Sequence, residues 1–501
     1  MTPSNWTTLS DAPPSLLVIG AGPAGLSAAI EAKRCGVDRV LVVDREREPG
    51  GILNQCIHAG FGLFHYGEEL TGPEYAERLV NSAEESGVEI MQETFVATLD
   101  HDLNAVLFSK SQGYFQVKTK AVVLAMGCRE RTRAAVAVPG TRPAGVFSAG
   151  TAQRLINIEG YALGQRAVIV GSGDIGLIMA RRLTLEGVDV AAVVEIRETP
   201  SGLPRNVSQC LKAFSIPLLL SHRVAAIEGT SRVTGVVVES LAGGAPERIA
   251  CDLVLFSVGL IPENELSAMT GAELLGGTNG LQLTGEMQTS VPGLFACGNT
   301  YRVYDLVDEV SREAGIAGRA AAAYLGCRKY SAPGGADHAN FGRTTSSSFR
   351  TKTVLGRDRD EASQFSHSEK APLLLAADVD ESVTDEPLRC IICPKGCRMG
   401  LGPGGEITGY KCRRGYEFAL QELRDPSAVL TATVAIEGGT WPRLPCKTTK
   451  AIPRALLRTA AAALSKLSVS APVTLGDILL RDLGGLGVDV VATRSMKQMQ
   501  P

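Results

Sequence analysis

Four cysteines near the end of the chain have a spacing that suits a shared ligand. Cys390-Ile-Ile-Cys393-Pro-Lys-Gly-Cys397 is followed by Cys412, giving Cys-x2-Cys-x3-Cys-x14-Cys. The chain has 12 cysteines, so a third of its thiols fall in this one short stretch. Pro394, Gly396, Gly400 and Gly402 permit the tight turns that aim several thiolates at one point. Four thiolates suit either a [4Fe-4S] cluster or a structural zinc ion. Zinc ribbons usually carry two Cys-x2-Cys knuckles, and this stretch has one. Lys395, Lys411, Arg413 and Arg414 would offset the negative charge of a thiolate-ligated cluster. Iron–sulfur and zinc both stay open on this spacing. Cys446 reads as a spare ligand or a buried apolar position.

A second kind of chemistry is written twice, in glycines. Gly20-Ala-Gly22-Pro-Ala-Gly25 follows the apolar run Leu16-Leu-Val-Ile19, and Gly171-Ser-Gly173-Asp-Ile-Gly176 follows Ala167-Val-Ile-Val170. Each opens an Ala/Leu-rich helical pattern. Each is then followed by a β-like run that ends in an acid, Asp44 in one case and Glu195 in the other. Both acids stand 24 positions after the first glycine of their motif, the distance expected for a carboxylate that grips the ribose hydroxyls of a dinucleotide. The first glycine allows the tight strand-to-helix turn, the second lets backbone approach a pyrophosphate, and the third lets helix and strand pack closely. The phosphates would meet free N–H groups and the positive end of a helix dipole. Two copies in full strand–turn–helix–strand–acid context point to two dinucleotides held by one chain. Glu195 would repel the 2′-phosphate of NADPH, so NADH is the expected partner of the second loop, although Arg197 stands two positions on.

Other reactive side chains carry plainer alternatives. Cys56 is either a modulator of a nearby redox group or a small buried hydrophobe. His58 and His65 are proton donors or packing residues. Cys128 and Cys297 sit beside motif glycines and read as packing residues; Arg129, Glu130 and Arg131 read as a solvated or inter-domain charge cluster. No catalytic residue is fixed by the sequence; Cys56 and His58 are the candidates.

The elements that must position these groups follow from the pattern. Residues 15–150 read as β-α-β, then a helix near 73–87, then short strands at Glu89-Ile-Met, Phe95-Val-Ala-Thr and Tyr114-Phe-Gln-Val. Residues 160–265 repeat the nucleotide-binding pattern, with strands at 235–239 and 252–256. Residues 266–327 lead to an Ala-rich helix over 307–325. From 328 to 387 the chain turns rich in Ser, Thr, Arg and Asp and reads as a linker, and a distinct domain begins near 388. With 501 residues, 45% hydrophobic, the chain can bury two or three cores. A net charge of −3 gives no electrostatic reason to propose nucleic acid. The polar start lacks a signal-peptide core, no apolar run approaches membrane-spanning length, and the cysteine usage fits a reducing, cytoplasmic setting.

The first 327 positions resemble the two-dinucleotide-binding flavoproteins related to thioredoxin reductase and glutathione reductase. The likeness rests on the order of motifs: the first glycine loop, Val122-Val-Leu-Ala-Met-Gly127, the second loop, Leu255-Phe-Ser-Val-Gly-Leu-Ile-Pro262, and Thr289-Ser-Val-Pro-Gly-Leu-Phe-Ala-Cys-Gly-Asn299. More narrowly, Gly50-Gly-Ile-Leu-Asn-Gln-Cys-Ile-His-Ala-Gly-Phe-Gly62, Ala125-Met-Gly-Cys-Arg-Glu-Arg131 and Tyr304-Asp-Leu-Val-Asp-Glu-Val-Ser311 are similar to flavin subunits found with anaerobic FAD-linked glycerol-3-phosphate dehydrogenases, and to alpha subunits of opine and proline dehydrogenases. The C-terminal piece resembles a Cys-rich domain that accompanies such subunits, and its spacing is similar to the cluster-binding start of molybdopterin oxidoreductases.

This resemblance implies an α/β fold of two nested Rossmann-like domains plus a small C-terminal four-cysteine α+β domain. Residues 1–155 and 266–327 would form the FAD domain, 156–265 an inserted NAD domain, 328–387 a linker, and 388–501 the Cys-rich domain. FAD would be held by Gly20, Gly22, Pro23, Ala24, Gly25, Asp44, Arg45, Gly51, Ile52, Gly127, Gly298 and Asn299, and NAD(H) by Gly171, Gly173, Asp174, Ile175, Gly176, Glu195 and Gly259. Asn299 stands where the superfamily usually has Asp, and the helix expected just after it would aim its positive end at the flavin. The chain departs from the disulfide reductases: Cys56 after Gly50-Gly51 has no partner at Cys-x4-Cys spacing, and 160–265 contains only Cys210 and Cys251. Disulfide reduction is therefore not expected. The implied function is electron movement between NAD(H), FAD and a C-terminal iron–sulfur centre, serving a partner dehydrogenase subunit such as one acting on glycerol 3-phosphate, in a homo- or hetero-oligomer. The alternatives are a flavoprotein NADH oxidase or reductase with a structural zinc tail, and a non-catalytic scaffold.

Overall fold

The computed structural model describes residues 7–8, 13–327, 387–402 and 405–499; the expected linker lies outside them except for Pro387. The described residues fall into two compact units. One contains the residues up to 327 together with 428–499; the other contains 387–427.

The larger unit is built on two parallel sheets. The first has the strand order Leu294–Ala296, Ala121–Leu124, Leu16–Ile19, Val40–Val43, Glu89–Met91. Its three central strands are LLVI, VLVV and AVVL, and every residue in them is buried. Such continuous apolar runs belong to strands covered on both faces. Helices Pro23–Arg34 and Val307–Tyr324 cover one face. They approach closely because small residues line the contact: a Cβ on Gly318 would stand 2.2 Å from the Ala28 carbonyl oxygen. The antiparallel strands Thr94–Leu99, Asn104–Ser109 and Gly113–Lys118 pack on the other face.

The second parallel sheet runs Val146–Ser148, Leu253–Phe256, Arg166–Val170, Asp189–Val194, Leu218–Leu219. It recruits Val146–Ser148 from ahead of the expected boundary at 156. Its outer layer is the antiparallel sheet of His222–Gly229, Val233–Ser240 and Glu247–Ala250. Leu260–Pro262 pairs antiparallel with Cys128–Glu130 and ties the two halves together.

Two sequence expectations change here. The helix after Asn299 does not start directly: a 3-10 turn, Gly298–Thr300, comes first, and the helix begins at Val307 with Asp308 and Glu309 in its first turn. The stretch expected as one domain from 388 onward is also divided. Strands Ser468–Ser470, Thr431–Glu437, Arg443–Thr448, Val490–Ala492 and Ile478–Leu480 form a sheet whose core takes in Leu185, from the end of the second glycine loop's helix. That shared core places 428–499 with the flavoprotein body. Lys447 pairs with Glu74 at 2.6 Å, Ser495 N–H donates to Glu77 at 2.7 Å, and Arg494 pairs with Glu48. Trp441 lies under both Arg47 and Arg154, at 5.7 and 5.5 Å from its ring centre. The segment that carries this sheet thus grips Arg47 and Glu48, just past the acid of the first loop. Among the described residues no helix is long and apolar enough to cross a membrane.

Candidate dinucleotide and thiolate sites

The first glycine loop bends where a side chain cannot go. Gly20 has φ +107°, and a Cβ there would be 2.4 Å from the Ala125 carbonyl oxygen. A Cβ on Gly25 would be 1.8 Å from the Gly20 carbonyl oxygen. Gly22 differs: the nearest atom to its added Cβ is the Gly51 Cα at 3.9 Å, so open space lies there. Helix Pro23–Arg34 starts beside that space with Pro23 at its first turn, no acid there and no side-chain cap on Gly22. Its first N–H groups are left for a ligand, as an anion requires. The chain returns at Gly50, whose N–H donates to the Ala21 carbonyl at 2.8 Å, and Gly51 crosses the loop beside Gly22. Gly298 packs on Ala24, where an added Cβ would be 2.7 Å away.

Asp44 Oδ2 accepts from Ala21 N–H at 2.6 Å and its Oδ1 from Glu46 N–H at 2.9 Å. Burial nevertheless raises its pKa, against the lowering by these two donors. Arg45 and Ile52 are exposed. Gly127 N–H donates to the Thr300 hydroxyl at 2.8 Å, and Asn299 holds Tyr304 N–H at 3.1 Å while its amide reaches the Cys128 sulfur at 3.4 Å. These residues gather along the carboxyl ends of the first sheet, where α/β proteins bind ligands.

The second loop repeats the turn with different supports. Gly171 has φ +95°, with a Cβ position 2.1 Å from the Ser257 carbonyl oxygen, and a Cβ on Gly176 would be 2.7 Å from the Gly171 carbonyl. Gly173 meets nothing nearer than 3.5 Å. Ser257, two residues before Gly259, also takes the Gly176 N–H at 3.0 Å. Asp174 lies in the helix's first turn, but its Oδ1 is engaged by Leu203 N–H and the Asn206 amide, both at 2.7 Å. Ile175 packs with the second domain's core. Glu195 is buried and accepts four hydrogen bonds: Ser172 N–H at 2.9 Å, Ser172 hydroxyl at 2.5 Å, Ser201 hydroxyl at 3.0 Å and Arg197 N–H at 3.0 Å. Burial pushes its pKa up, but the bonds from Ser172, Arg197 and Ser201 outweigh that and hold it below the usual carboxylate value.

Ser201, Gly202 and Leu203 fold back onto this loop. The sequence reading missed that contact, although Ser172 within the fingerprint was a usable signal.

Cys56 and His58 follow Gly51. Burial raises the Cys56 thiol to about 12, so it is a thiol rather than a thiolate at neutral pH. Its Sγ lies 3.7 Å from the Gln153 side-chain oxygen. Burial first, then the charges of Arg181 and Arg205, lowers His58 to about 3; it stays neutral and does not serve as an imidazolium donor. Cys297 is fully buried.

In the smaller unit, strands Leu388–Arg389 and Arg398–Leu401 pair antiparallel, and Cys390 N–H donates to the Cys397 carbonyl at 2.9 Å. The turn between them closes at Gly396, whose φ is +53°. Cys412 caps helix Arg413–Arg424. A Cβ on Gly415 would stand 3.7 Å from the Cys390 sulfur and 3.8 Å from the Cys412 sulfur, so both thiols face one glycine. Burial raises Cys390 to about 11, with Cys393, Cys397 and Cys412 adding to the rise; Cys397 is raised too, with Lys395 and Lys411 pulling it back. The four thiols thus lie within one another's electrostatic reach. Among the described residues, no three His, Cys, Asp or Glu side chains stand close enough to hold a single ion.

The sequence pattern of the pyridine nucleotide-disulphide oxidoreductases matches residues 14–325, and the chain belongs to that family. A second pattern, of a protein of unknown function named DUF1667, matches residues 413–494. An opine oxidase subunit of Agrobacterium tumefaciens (strain Ach5) is 32% identical over 192 residues, 37% of this chain and 37% of that one. Hydrogen cyanide synthase subunit HcnB of Pseudomonas protegens is 29% identical over 184 residues, 36% of this chain and 38% of that one. The chain therefore spans little more than a third of these relatives. Thioredoxin reductase of T. acidophilum has the same fold over 62% of this chain and 97% of its own, with a TM-score of 0.53 at 21% identity. The chain is an FAD-dependent pyridine nucleotide oxidoreductase.

Proposed function

We propose that this oxidoreductase exchanges electrons between NAD(H) and a C-terminal iron–sulfur centre by way of FAD, and serves a partner dehydrogenase subunit. The observation that carries this reading is the Cys-x2-Cys-x3-Cys-x14-Cys spacing of Cys390, Cys393, Cys397 and Cys412, of which the Cys390 and Cys412 sulfurs face the same glycine, in a chain whose Cys56 has no second cysteine at reductase spacing. Electrons from NADH need an exit, and a dithiol does not supply it. The residues around the Gly20 loop and Asp44 suit FAD, and those around the Gly171 loop and Glu195 suit NAD(H). When bound, FAD supplies a hydride-accepting ring that can also exchange single electrons. The chain's own contribution is to hold pyrophosphates on two helix N-termini and anchor the riboses through two acids. It keeps His58 neutral beside the Cys56 segment and supplies four cysteines in one short stretch, with Lys395 and Lys411 acting on Cys397. Both relatives are named as subunits, one of opine oxidase and the other, HcnB, of hydrogen cyanide synthase, which supports a role beside a second polypeptide.

The test is anaerobic purification of the full chain with analysis for iron, acid-labile sulfide and zinc. Iron and sulfide should be present and should disappear in Cys393→Ser or Cys397→Ser, while FAD stays and NADH still bleaches it. Transfer to one-electron acceptors should fall in the same variants. Stoichiometric zinc with neither iron nor sulfide would overturn the relay and leave a structural tail.

A further inference from the structure

Among the described residues Arg205 forms no ion pair. It belongs to the short turn Pro204–Asn206 that follows Ser201, Gly202 and Leu203, and it is 9% exposed. Its Nε is buried with no hydrogen-bond partner, and among the described residues it pairs with no carboxylate. The guanidinium lies against Gly60, on the segment just after Cys56 and His58: a Cβ on Gly60 would be 3.0 Å from one terminal nitrogen and 3.6 Å from the central carbon. His58 stands two residues before Gly60 and feels the charge of Arg205, and its Nδ1 is also buried without a partner. A second guanidinium, Arg181, bears on His58 from the second loop's helix, and its polar contact is a long 3.4 Å bond to the Val429 carbonyl. Asp174 shares the neighbourhood, since its charge and those of Arg181 and Arg205 all act on Cys210. Its Oδ1, however, is taken by Leu203 and Asn206. Asp305 is reached by Asp174's charge and is exposed.

Burying one guanidinium unpaired is costly, and placing a second near it adds to the cost. The unpartnered Nδ1 of His58, on which both cations act, adds to that cost. An anionic ligand at Arg205 would supply the missing counter-charge and an acceptor for its guanidinium. The Arg fork matches carboxylate or phosphate oxygens in a bidentate way, and a neutral His58 adds one hydrogen bond.

We propose that Arg205, with His58 and Arg181 beside it, forms a binding site for an oxyanion group, either the pyrophosphate of the bound nicotinamide dinucleotide or the carboxylate of a small acid substrate. The site lies wholly in the flavoprotein body, so it holds whether the C-terminal thiols bind iron or zinc. Its placement beside the Cys56–Gly60 segment puts any such ligand at the junction of the two nucleotide-binding halves.

The test uses FAD-loaded full-length protein and follows its thermal midpoint with sodium pyrophosphate, or separately sodium acetate, against sodium chloride at equal ionic strength. One of the two should raise the midpoint saturably beyond chloride. In Arg205→Gln the half-saturating concentration should rise at least tenfold at unchanged FAD content, and Arg205→Lys should recover part of the loss. A response to pyrophosphate, with a matching rise in the KM for NADH in Arg205→Gln, assigns the anion to the dinucleotide. A response to acetate with an unchanged KM for NADH assigns it to a second substrate. If wild type responds to neither probe, the proposal fails. It fails equally if the affinity is unchanged in Arg205→Gln or, should that variant lose FAD, in Arg205→Lys.

Discussion

Asp44 and Glu195 stand at the same distance from the first glycine of their loops, yet the protein completes one carboxylate and leaves the other short. Glu195 takes four protein donors, and its pKa is lowered despite burial. Asp44 takes two, and its pKa is raised. Charge-assisted hydrogen bonds are each worth about 1.5–3 kcal/mol, so two missing donors matter. On the proposed assignment a ligand's ribose hydroxyls complete the first carboxylate, whereas the chain itself supplies the donors to the second. That is what a resident FAD and an exchangeable nicotinamide nucleotide respectively require. The surroundings agree. Gly51 crosses the first loop and the C-terminal segment grips Arg47 and Glu48 beyond Asp44, whereas the second loop is braced by its own Ser172 and the neighbouring Ser201.

The sharpest way to break this comparison is to fill the two open glycines. Gly22 has no atom within 3.9 Å of its Cβ position, so Gly22→Leu should fold and yet occupy the space meant for phosphate. FAD affinity should fall by about 1,000-fold, roughly 4 kcal/mol, and the protein should purify colourless. Yellow protein with normal FAD content would refute the assignment. Gly173→Leu should instead stay yellow and lose response to NADH, with reduction at fixed NADH slowed by about 100-fold, roughly 2.7 kcal/mol. If that variant bleaches normally, the second loop is not the nicotinamide site.

Glu195→Gln sharpens the comparison from the other side. The carboxylate opposes a 2′-phosphate, so its neutralisation should shift the NADPH-to-NADH ratio of kcat/KM by about tenfold towards NADPH, roughly 1.4 kcal/mol. The gain is bounded, because an amide presents N–H groups to Ser172 or Ser201 and disturbs the loop. A wild-type preference for NADPH would show that Arg197, exposed two residues on, decides the nucleotide instead.

Much of this was legible in the sequence because it depends on local pattern. The runs at 16–19, 40–43 and 121–124 are apolar throughout, and strands buried on both faces must be. The first and third glycines of each loop were readable because their Cβ positions collide with backbone, a constraint that no neighbour can relieve. What escaped is long-range. His222–Gly229 is a strand whose alternation is broken by Ala225, Ala226 and a register shift, so its pairing with Val233–Ser240 decides it. The division near 428 depends on Leu185 joining a core some 250 positions later in the chain, which no spacing rule reports. No sequence motif marks Arg205; its burial and its contact with Gly60 come from the fold.

The smallest expected effect is also the most direct on the two acids. In FAD-free protein the folded-state pKa of Asp44 lies above its unfolded value, because burial outweighs the donors from Glu46 and Ala21 and the Glu46 charge adds to the rise while Arg45 opposes it. A raised acid stabilises the fold while it is protonated, below the unfolded pKa, and that contribution disappears as pH rises through the folded value. FAD-free wild type and FAD-free Asp44→Asn should therefore have equal midpoints at low pH. As pH climbs above the ordinary aspartate range, the variant should become the more stable. With FAD bound the order should reverse at neutral pH, since the ionised carboxylate then has ribose hydroxyls to accept and the amide accepts them less well. Glu195 predicts the opposite sign without any ligand: its lowered pKa stabilises the fold above the unfolded glutamate value and is lost as pH falls through the lower folded one. Midpoints of Asp44→Asn and Glu195→Gln against pH, with and without FAD, read both signs. If Asp44→Asn is less stable than wild type at neutral pH in the FAD-free protein, then Asp44 is already satisfied by the chain, and the contrast between a resident and an exchangeable site falls.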